Sequence, residues 1–184
     1  GGEPLSRFDF FEIAARARDL GFRHLSLSTN GTKVAAHIDR IAELGFDYVG
    51  ISLDGIGAMN DWFRGVDGAY VEALQGVRAC KARGVKVGLR FTMNKRNVAE
   101  IPRIFDLMEN QGIPRICFYH LVYTGRGSSL KDEDLSHAQT RETLDLIMDR
   151  TKAMLDKGLN VEVLTVDNHA DGPYVYLRML KEPK

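Results

Sequence analysis

The sequence has few of the residues that mark specialised classes of protein. Its 184 residues include two cysteines, Cys80 and Cys117, too few for a disulfide framework and too far apart for a metal motif. Lys plus Arg and Asp plus Glu both number 25, so no net charge favours nucleic acid or an anionic membrane surface. The apolar runs are far shorter than the roughly 20 residues that span a bilayer. We expect a cytoplasmic globular protein with two reduced thiols and neither a nucleic-acid nor a membrane partner.

Several chemical motifs are also missing. The sequence has no GxGxxG after its first predicted strand and no GxxxxGK[ST], so it lacks the phosphate cradles of dinucleotide and P-loop sites. It has no GxSxG of the Ser-His-Asp hydrolases, and its five histidines do not show the HExxH spacing of a zinc site. We therefore assign no metal ligands within the chain, and we leave the catalytic acid or base unknown.

One pattern recurs five times along the chain. A helical segment ends at a glycine, and a run rich in β-branched and aromatic residues follows at once, as in RDLGFRHLSLS and KARGVKVGLRF. The five glycines are Gly21, Gly45, Gly84, Gly112 and Gly158, and the strands lie near residues 23–28, 47–53, 86–92, 115–122 and 161–166. This alternation predicts right-handed βαβ units, an α/β fold with a parallel sheet, and a single domain over residues 1–184.

The predicted strands all end in polar or glycine-containing segments. These are STNGT, ISLDGI, RFTMNKRN, HLVYTGRG and TVDNHADG. In parallel α/β folds the ligand lies at the carboxyl ends of the strands, so five such segments indicate a shared pocket. Each segment alone could equally be a turn, because Asn-Gly and Asp-Gly favour turns whatever the function.

These segments carry a resemblance to a known family. GGEP before a helix, STNG and ISLDG at two strand ends, and MNDWFRG shortly afterwards are, in this order, similar to the radical S-adenosylmethionine (radical SAM) family. Within it they resemble the subgroup that often carries a SPASM-type extension. FYHLVYTGRG and LTVDNHADG resemble the members of haem d1 biosynthesis, which act on propionate side chains of a modified sirohaem, and then the haem-forming decarboxylases.

The resemblance implies a fold, two cofactors and a reaction type. The fold is a partial (β/α)6 TIM-like barrel, in which a 4Fe-4S cluster reduces S-adenosylmethionine (AdoMet) to give a 5′-deoxyadenosyl radical that abstracts hydrogen from the substrate. In the family, a CxxxCxxC loop before GGEP holds the cluster, so we expect this chain to be an internal stretch that lacks the first βα units and is inactive alone. The implied partners are a tetrapyrrole and an electron-donor protein.

The resemblance also implies which residues contact AdoMet. Glu3 corresponds to the motif that holds the methionine amino group, and Ser52 with Arg64 to a pair near its carboxylate. Asp54 either bonds the ribose or caps its turn, and Arg90 meets either an anion or a neighbouring acid such as Asp54. The predicted cofactor-binding residues are Gly2, Glu3, Thr29, Asn30, Ser52, Asp54, Arg64 and Arg90.

The last two strand ends supply the predicted substrate side of the pocket. A tetrapyrrole with several carboxylates needs cationic donors and aromatic surface. The predicted substrate-binding residues are His120, Tyr123, Arg126, Asp167 and His169. An alternative is that His120 and Asp167 hydrogen-bond each other and only fasten the loop.

Three alternative functions remain at this point. One is a related haem-pathway decarboxylase or a peptide-modifying SPASM enzyme. Another is an ordinary (β/α) barrel hydrolase or isomerase that binds a phosphorylated substrate through TGRG. The third is a partial-barrel binding module without catalysis.

Overall fold

A computed structural model describes residues 2–181, except for the side chains of residues 126, 127 and 129. Helices and strands alternate along nearly the whole described chain. The helices are α1 (Phe10–Asp19), α2 (Val34–Glu43), α3 (Ala58–Arg64), α4 (Ala69–Ala82), α5 (Ile101–Gln111), α6 (His137–Asp156) and α7 (Asp171–Met179). The strands are β1 (Ser26–Thr29), β2 (Tyr48–Ser52), β3 (Val87–Thr92), β4 (Arg115–Tyr119) and β5 (Glu162–Val166). Within residues 2–181, no helix is long and apolar enough to cross a membrane.

The five strands form one sheet in the order β1-β2-β3-β4-β5. The pairs β1 with β2, β2 with β3, and β4 with β5 are parallel. The predicted α/β fold with a parallel sheet is therefore confirmed. The chain divides into two compact units, Gly1–Arg90 and Phe91–Lys184, and the prediction of a single domain over residues 1–184 stays a prediction.

The glycines after the helices have the predicted backbone conformation. Each has a positive φ, which lets the chain leave the helix and enter the next strand at little steric cost. The values are 85° for Gly21, 67° for Gly45, 70° for Gly84, 57° for Gly112 and 77° for Gly158. The strand boundaries differ slightly from the prediction, since β1 begins at Ser26 and β4 ends at Tyr119.

In the first unit, the strands place their large apolar side chains on one face. Val49, Ile51 and Leu89 are fully buried, and Ile51 lies against Gly76 of α4. Burying each such side chain contributes about 1.5–3 kcal/mol to stability. This face is therefore the one that the helices cover.

The opposite face of the same strands carries small and polar residues. Because side chains alternate along a strand and paired residues of parallel strands share a face, the register assigns this set. It consists of Ser26, Ser28, Tyr48, Gly50, Ser52, Gly88 and Arg90. We call these residues the polar face. Ser28, Gly50 and Gly88 are paired across the three strands, so no large side chain starts from the middle of the polar face, although the Arg90 stem and the Tyr48 ring lie over Gly50.

In the second unit, β4 packs an aromatic side chain against α5. The ring of Phe118 lies 5.7 Å from those of Phe91 and Phe105, and all three are buried. The alternation along β4 therefore directs Ile116 and Phe118 toward the helix, and Cys117 and Tyr119 away from it.

The turn after β1 is packed against the core through a glycine. A Cβ at Gly31 would lie 2.6 Å from Ile51 Cγ2, closer than real Cβ atoms come, and 3.0 Å from the Ala73 backbone, which is a tight contact. Gly31 also has a φ of 86°. Gly21 has nearly the same φ, 85°, but nothing within 4 Å of its Cβ position. Gly21 and Gly31 therefore have the same backbone conformation, and only Gly31 has close neighbours. Substituting each by alanine distinguishes the free-energy cost of the backbone conformation from that of the close contact.

We expect Gly31→Ala to destabilise the protein more than Gly21→Ala. Both substitutions add the left-handed backbone cost of about 1–2 kcal/mol. Only Gly31→Ala adds an overpacking cost of about 1–3 kcal/mol. Urea unfolding of the two variants measures the difference, and equal losses would show that the turn after β1 is not tightly packed.

Candidate functional site

The predicted AdoMet residue Glu3 joins the start of the chain to the end of β1. Its carboxylate accepts hydrogen bonds from Leu5 N at 3.1 Å, Thr29 Oγ1 at 2.6 Å and Asn30 N at 2.7 Å. A carboxylate has about four acceptor positions, so about one remains for a ligand. Gly2, next to Glu3, is exposed and has open space around it.

Thr29 and Asn30 both make local contacts. Thr29 is 3% exposed, and its hydroxyl also accepts from Gly31 N at 3.1 Å. Asn30 Oδ1 accepts from the backbone and the hydroxyl of Thr32, which makes the Asn-Gly segment a turn. The structure thus brings Glu3, Thr29 and Asn30 together, and it gives Thr29 and Asn30 roles in the turn itself.

Asp54 and Arg64 form an ion pair beyond the carboxyl end of β2. Arg64 Nη2 donates to Asp54 Oδ2, and the Asp54 side chain is 2% exposed. Asp54 N donates to Asn60 Oδ1 at 3.0 Å, so the loop after ISLDG is fixed to α3. The structure pairs Asp54 with Arg64, and the predicted alternative of an ion pair between Arg90 and a neighbouring acid such as Asp54 stays a prediction.

One donor atom of Arg64 has no partner. Its Nε is buried and makes no hydrogen bond with any of the described residues. A buried unsatisfied donor is rare in proteins, and it costs about 1–3 kcal/mol unless a ligand or a water satisfies it. The Arg64 side chain as a whole is 30% exposed, so it lies partly at the surface, where a carboxylate is the group that best matches a guanidinium.

Ser52 and Arg90 lie side by side on the polar face. They are paired in the register of β2 and β3, and both are half-buried. Leu53, the residue after Ser52, is 2% exposed and has the opposite orientation. The structure therefore directs Ser52 and Arg90 away from the helices, as the predicted site requires.

His120 has a different partner from the one the sequence analysis named. Its Nε2 lies 2.7 Å from Asp171 Oδ2, and the two side chains are 11% and 5% exposed. Asp167 is exposed and has a φ of 68°. The alternative of a fastening contact is thus supported, but with Asp171 instead of Asp167. His120 follows Phe118 by two residues, which by alternation places it on the helix-facing side of β4.

The other predicted substrate residues lie on the surface of the second unit. Tyr123 is 47% exposed and donates its hydroxyl to Asp134 Oδ2, and this hydrogen bond raises the pKa of Tyr123. His169 is exposed in the segment after β5. The side chain of Arg126 lies outside the described residues. The substrate-binding role of these residues stays a prediction.

The two cysteines are buried in different elements. Cys80 lies in α4, where burial raises the pKa of its thiol to about 11, and Cys117 lies in β4. A cluster iron needs closely spaced thiolates. Among the residues that the structure describes, no group of three or more His, Cys, Asp or Glu side chains could hold a metal ion.

The fold and these strand ends match one family of enzymes. A family model for the radical SAM superfamily matches residues 1–108, and the chain belongs to this superfamily. Its members use AdoMet together with a 4Fe-4S cluster. The resemblance in the sequence is thereby confirmed.

The sequence of the chain is much more similar to those of several curated proteins than a shared fold requires. The chain is 55% identical over 183 residues to Fe-coproporphyrin III synthase of Methanosarcina barkeri, covering 99% of this chain and 46% of the relative. It is 52% identical over 176 residues to pre-heme d1 synthase of Dinoroseobacter shibae, covering 95% and 43%. The chain thus spans about half the length of these relatives.

Solved structures of SPASM-type radical SAM enzymes share the fold. Streptococcus suis SuiB bound to the precursor peptide SuiA superposes with a TM-score of 0.75 at 18% identity, covering 96% of this chain and 39% of SuiB. The enzyme anSMEcpe with bound AdoMet and a Cp18Cys peptide gives 0.71 at 19% identity, covering 89% and 48%. The partial radical SAM barrel is therefore confirmed as the fold.

The His120 and Asp171 contact predicts a structural phenotype. We expect His120→Gln and Asp171→Asn each to lower the free energy of unfolding by about 1.5–3 kcal/mol, the range for hydrogen bonds to charged groups. The double variant should lose less than the sum, because both changes remove the same contact. Unfolding of the four proteins in urea measures this coupling. Unchanged stability together with lost substrate affinity would instead assign His120 to substrate binding.

Proposed function

We propose that this chain is the AdoMet- and substrate-binding part of a radical SAM synthase that modifies an iron tetrapyrrole. More specifically, we propose a step of haem d1 biosynthesis that acts on propionate side chains of a sirohaem-derived substrate. The support is that relatives named as Fe-coproporphyrin III synthase and pre-heme d1 synthase are both more than half identical to the chain. A third relative, an AdoMet-dependent heme synthase of Nitratidesulfovibrio vulgaris, is 34% identical over 154 residues.

The observation that carries the proposal is the polar face. Parallel sheets are ordinarily covered on both faces and are apolar on both. In β1 to β3 only one face is apolar, whereas the other has serines, glycines and Arg90. Such a face is unfavourable for packing another helix, and it is suited to a polar ligand that needs close approach to the backbone.

Several residues of the chain fit AdoMet. Arg64 Nε is a buried donor without a partner, Ser52 has its hydroxyl on the polar face, and Glu3 keeps about one acceptor position. Arg64 and Ser52 would bind the carboxylate, and Glu3 would accept from the ammonium. Asp54 holds Arg64 in place through the ion pair. The bound AdoMet and cluster would supply radical hydrogen abstraction, and the chain would orient AdoMet and exclude water.

The substrate side and the partners are further parts of the proposal. Tyr123, Arg126, Asp167 and His169 lie at or beyond the carboxyl ends of β4 and β5, where ligands of parallel sheets bind. We keep them, with His120, as proposed contacts, although the buried contact with Asp171 favours a fastening role for His120. An electron-donor protein is the other proposed partner, and a cytoplasmic location remains proposed.

The reaction can be tested with the full-length protein after anaerobic cluster reconstitution. We expect AdoMet cleavage to 5′-deoxyadenosine to increase when a sirohaem-derived tetrapyrrole is added, and mass spectrometry to show loss of propionate mass. Iron coproporphyrin III serves as the comparison substrate. If cleavage responds to a peptide and to no tetrapyrrole, the chain acts in peptide modification and the proposal is wrong.

Arg64 provides the test of the AdoMet contacts. We expect Arg64→Lys to keep a charge beside Asp54 but lose the guanidinium fork, which weakens AdoMet binding about tenfold to a hundredfold. Arg64→Ala is less informative, because it removes the cation of a buried ion pair with Asp54, which costs about 3–5 kcal/mol. Arg83→Lys is the matched control, since Arg83 pairs with Asp39 on the protein surface. Calorimetry that finds the same AdoMet affinity for Arg64→Lys and Arg83→Lys would reject the contact.

A further inference from the structure

We propose that Asn60 is a positioning residue for AdoMet, which fixes the loop after β2 on α3 and thereby sets the direction of the Arg64 guanidinium. This inference rests on the proposed function, in which Arg64 binds the AdoMet carboxylate, and it adds the residue on which that contact depends. Asn60 itself touches no ligand in this scheme. It acts through Asp54, the acid that pairs with Arg64.

Asn60 and Arg64 hold the same residue from one face of α3. They are four positions apart in the helix, so their side chains lie one above the other. Asn60 Oδ1 accepts a hydrogen bond from Asp54 N at 3.0 Å, and Arg64 Nη2 donates to Asp54 Oδ2. Asp54 is thus held at its backbone by the first turn of α3 and at its carboxylate by the last.

The hydrogen bond to Asn60 lies where the chain leaves the sheet. Leu53 N still donates to Arg90 O of the neighbouring strand at 2.9 Å, whereas Asp54 N donates to Asn60. Asp54 and Asn60 are both 1% exposed, and buried backbone N–H groups almost always have an acceptor. The amide of Asn60 supplies that acceptor from α3, so it fixes the loop relative to the helix that carries Arg64.

The next residue of the loop packs directly on the start of α3. A Cβ on Gly55 would lie 2.6 Å from Met59 Cγ and 3.2 Å from Asn60 N, and real Cβ atoms essentially never come within 3.0 Å of another atom. The φ of Gly55 lies outside the left-handed region, so alanine is compatible with the backbone and would act through this contact. The loop is therefore fixed on α3 at two neighbouring points.

The fixed loop matters because Arg64 has a donor left over. Its Nε is buried and makes no hydrogen bond with the residues that the structure describes. The guanidinium is planar, so holding Nη2 on Asp54 also restricts where Nε points. This direction is constant only while Asp54 stays in place, which the contact with Asn60 ensures. A pre-oriented donor loses less entropy when it binds, so the fixed loop should increase the affinity for the AdoMet carboxylate.

The experiment measures a carboxylate preference in the full-length enzyme after anaerobic cluster reconstitution. We define this preference as the Kd of decarboxylated AdoMet divided by the Kd of AdoMet, both from calorimetry. The variants are Asn60→Ala, Gly55→Ala, Arg64→Lys, and the double variant of Asn60→Ala with Arg64→Lys.

Asp61→Ala is the matched control. Asp61 is the neighbour of Asn60 in α3, and its carboxylate accepts from Gly68 N at 2.9 Å and from Tyr70 N at 2.7 Å. The control therefore also removes hydrogen bonds between a side chain of α3 and backbone outside α3, but none of those bonds involves Asp54.

We expect Asn60→Ala and Gly55→Ala each to lower the carboxylate preference about tenfold, because AdoMet binds more weakly while decarboxylated AdoMet keeps its affinity. Asp61→Ala should keep the wild-type preference. In the Arg64→Lys background, Asn60→Ala should not lower the preference further, because the guanidinium that it positions is gone. An unchanged preference in Asn60→Ala, an equal loss in Asp61→Ala, or full additivity with Arg64→Lys would overturn the proposal.

The same measurements separate this inference from the proposed function. If the wild type binds AdoMet but no tetrapyrrole, the tetrapyrrole assignment fails, and the variants still decide the role of Asn60. If the wild type does not prefer AdoMet to its decarboxylated analogue, the carboxylate contact fails and this inference fails with it. If Asn60→Ala does not fold, Gly55→Ala decides, because it keeps the acceptor for Asp54 N and displaces the loop from α3. A wild-type preference in Gly55→Ala would then contradict the inference.

Discussion

The structure depends on one constraint, which is that the first three strands bury only one of their two faces under helices. Val49, Ile51 and Leu89 fill the helix-covered face and leave alternate positions for other tasks. The residues at those alternate positions are small or polar, so packing apolar groups on the polar face would add little to the stability of the fold. The helices thus stabilise the sheet from one side, and the ligand is proposed to bind on the other.

Three acidic residues near the strand ends form hydrogen bonds or ion pairs with other residues of the chain. Glu3 accepts three hydrogen bonds from Leu5, Thr29 and Asn30, and Asp54 is buried against Arg64. In the second unit Asp171 is buried against His120. Among the described residues, the buried side-chain atoms without a hydrogen-bond partner are the donor Arg64 Nε in the first unit and the acceptor Asp171 Oδ1 in the second. The donor in the first unit fits the proposal of a ligand carboxylate there.

Much of the fold could be predicted from the sequence because its signals are local. A glycine such as Gly45 after an amphipathic helix marks a left-handed residue, and its φ of 67° follows from backbone sterics alone. The orientation of Ser52 opposite Leu53 follows from strand alternation in the same way. The family resemblance added the order of the motifs, which no single segment could supply.

The pairing of side chains could not be predicted, because it depends on tertiary distances. TVDNHADG contains Asp167 and Asp171, and only the start of α7 at Asp171 brings the second one to His120. The contact of Asp54 with Arg64 likewise depends on the turn into α3, which brings Arg64 to it. The pattern of a helix start after β5 was the one feature of the sequence that pointed to Asp171 as a residue with a structural role.

The account depends most on the claim that the polar face of β1 to β3 is where AdoMet binds. A crystal structure of the full-length enzyme with AdoMet, grown without oxygen, tests this most directly. It should show the AdoMet carboxylate within hydrogen-bond distance of Arg64 or Ser52, and the rest of the cofactor on the side of the polar face. Density for AdoMet on the helix-covered side, or at a place that contacts none of these residues, would contradict the account.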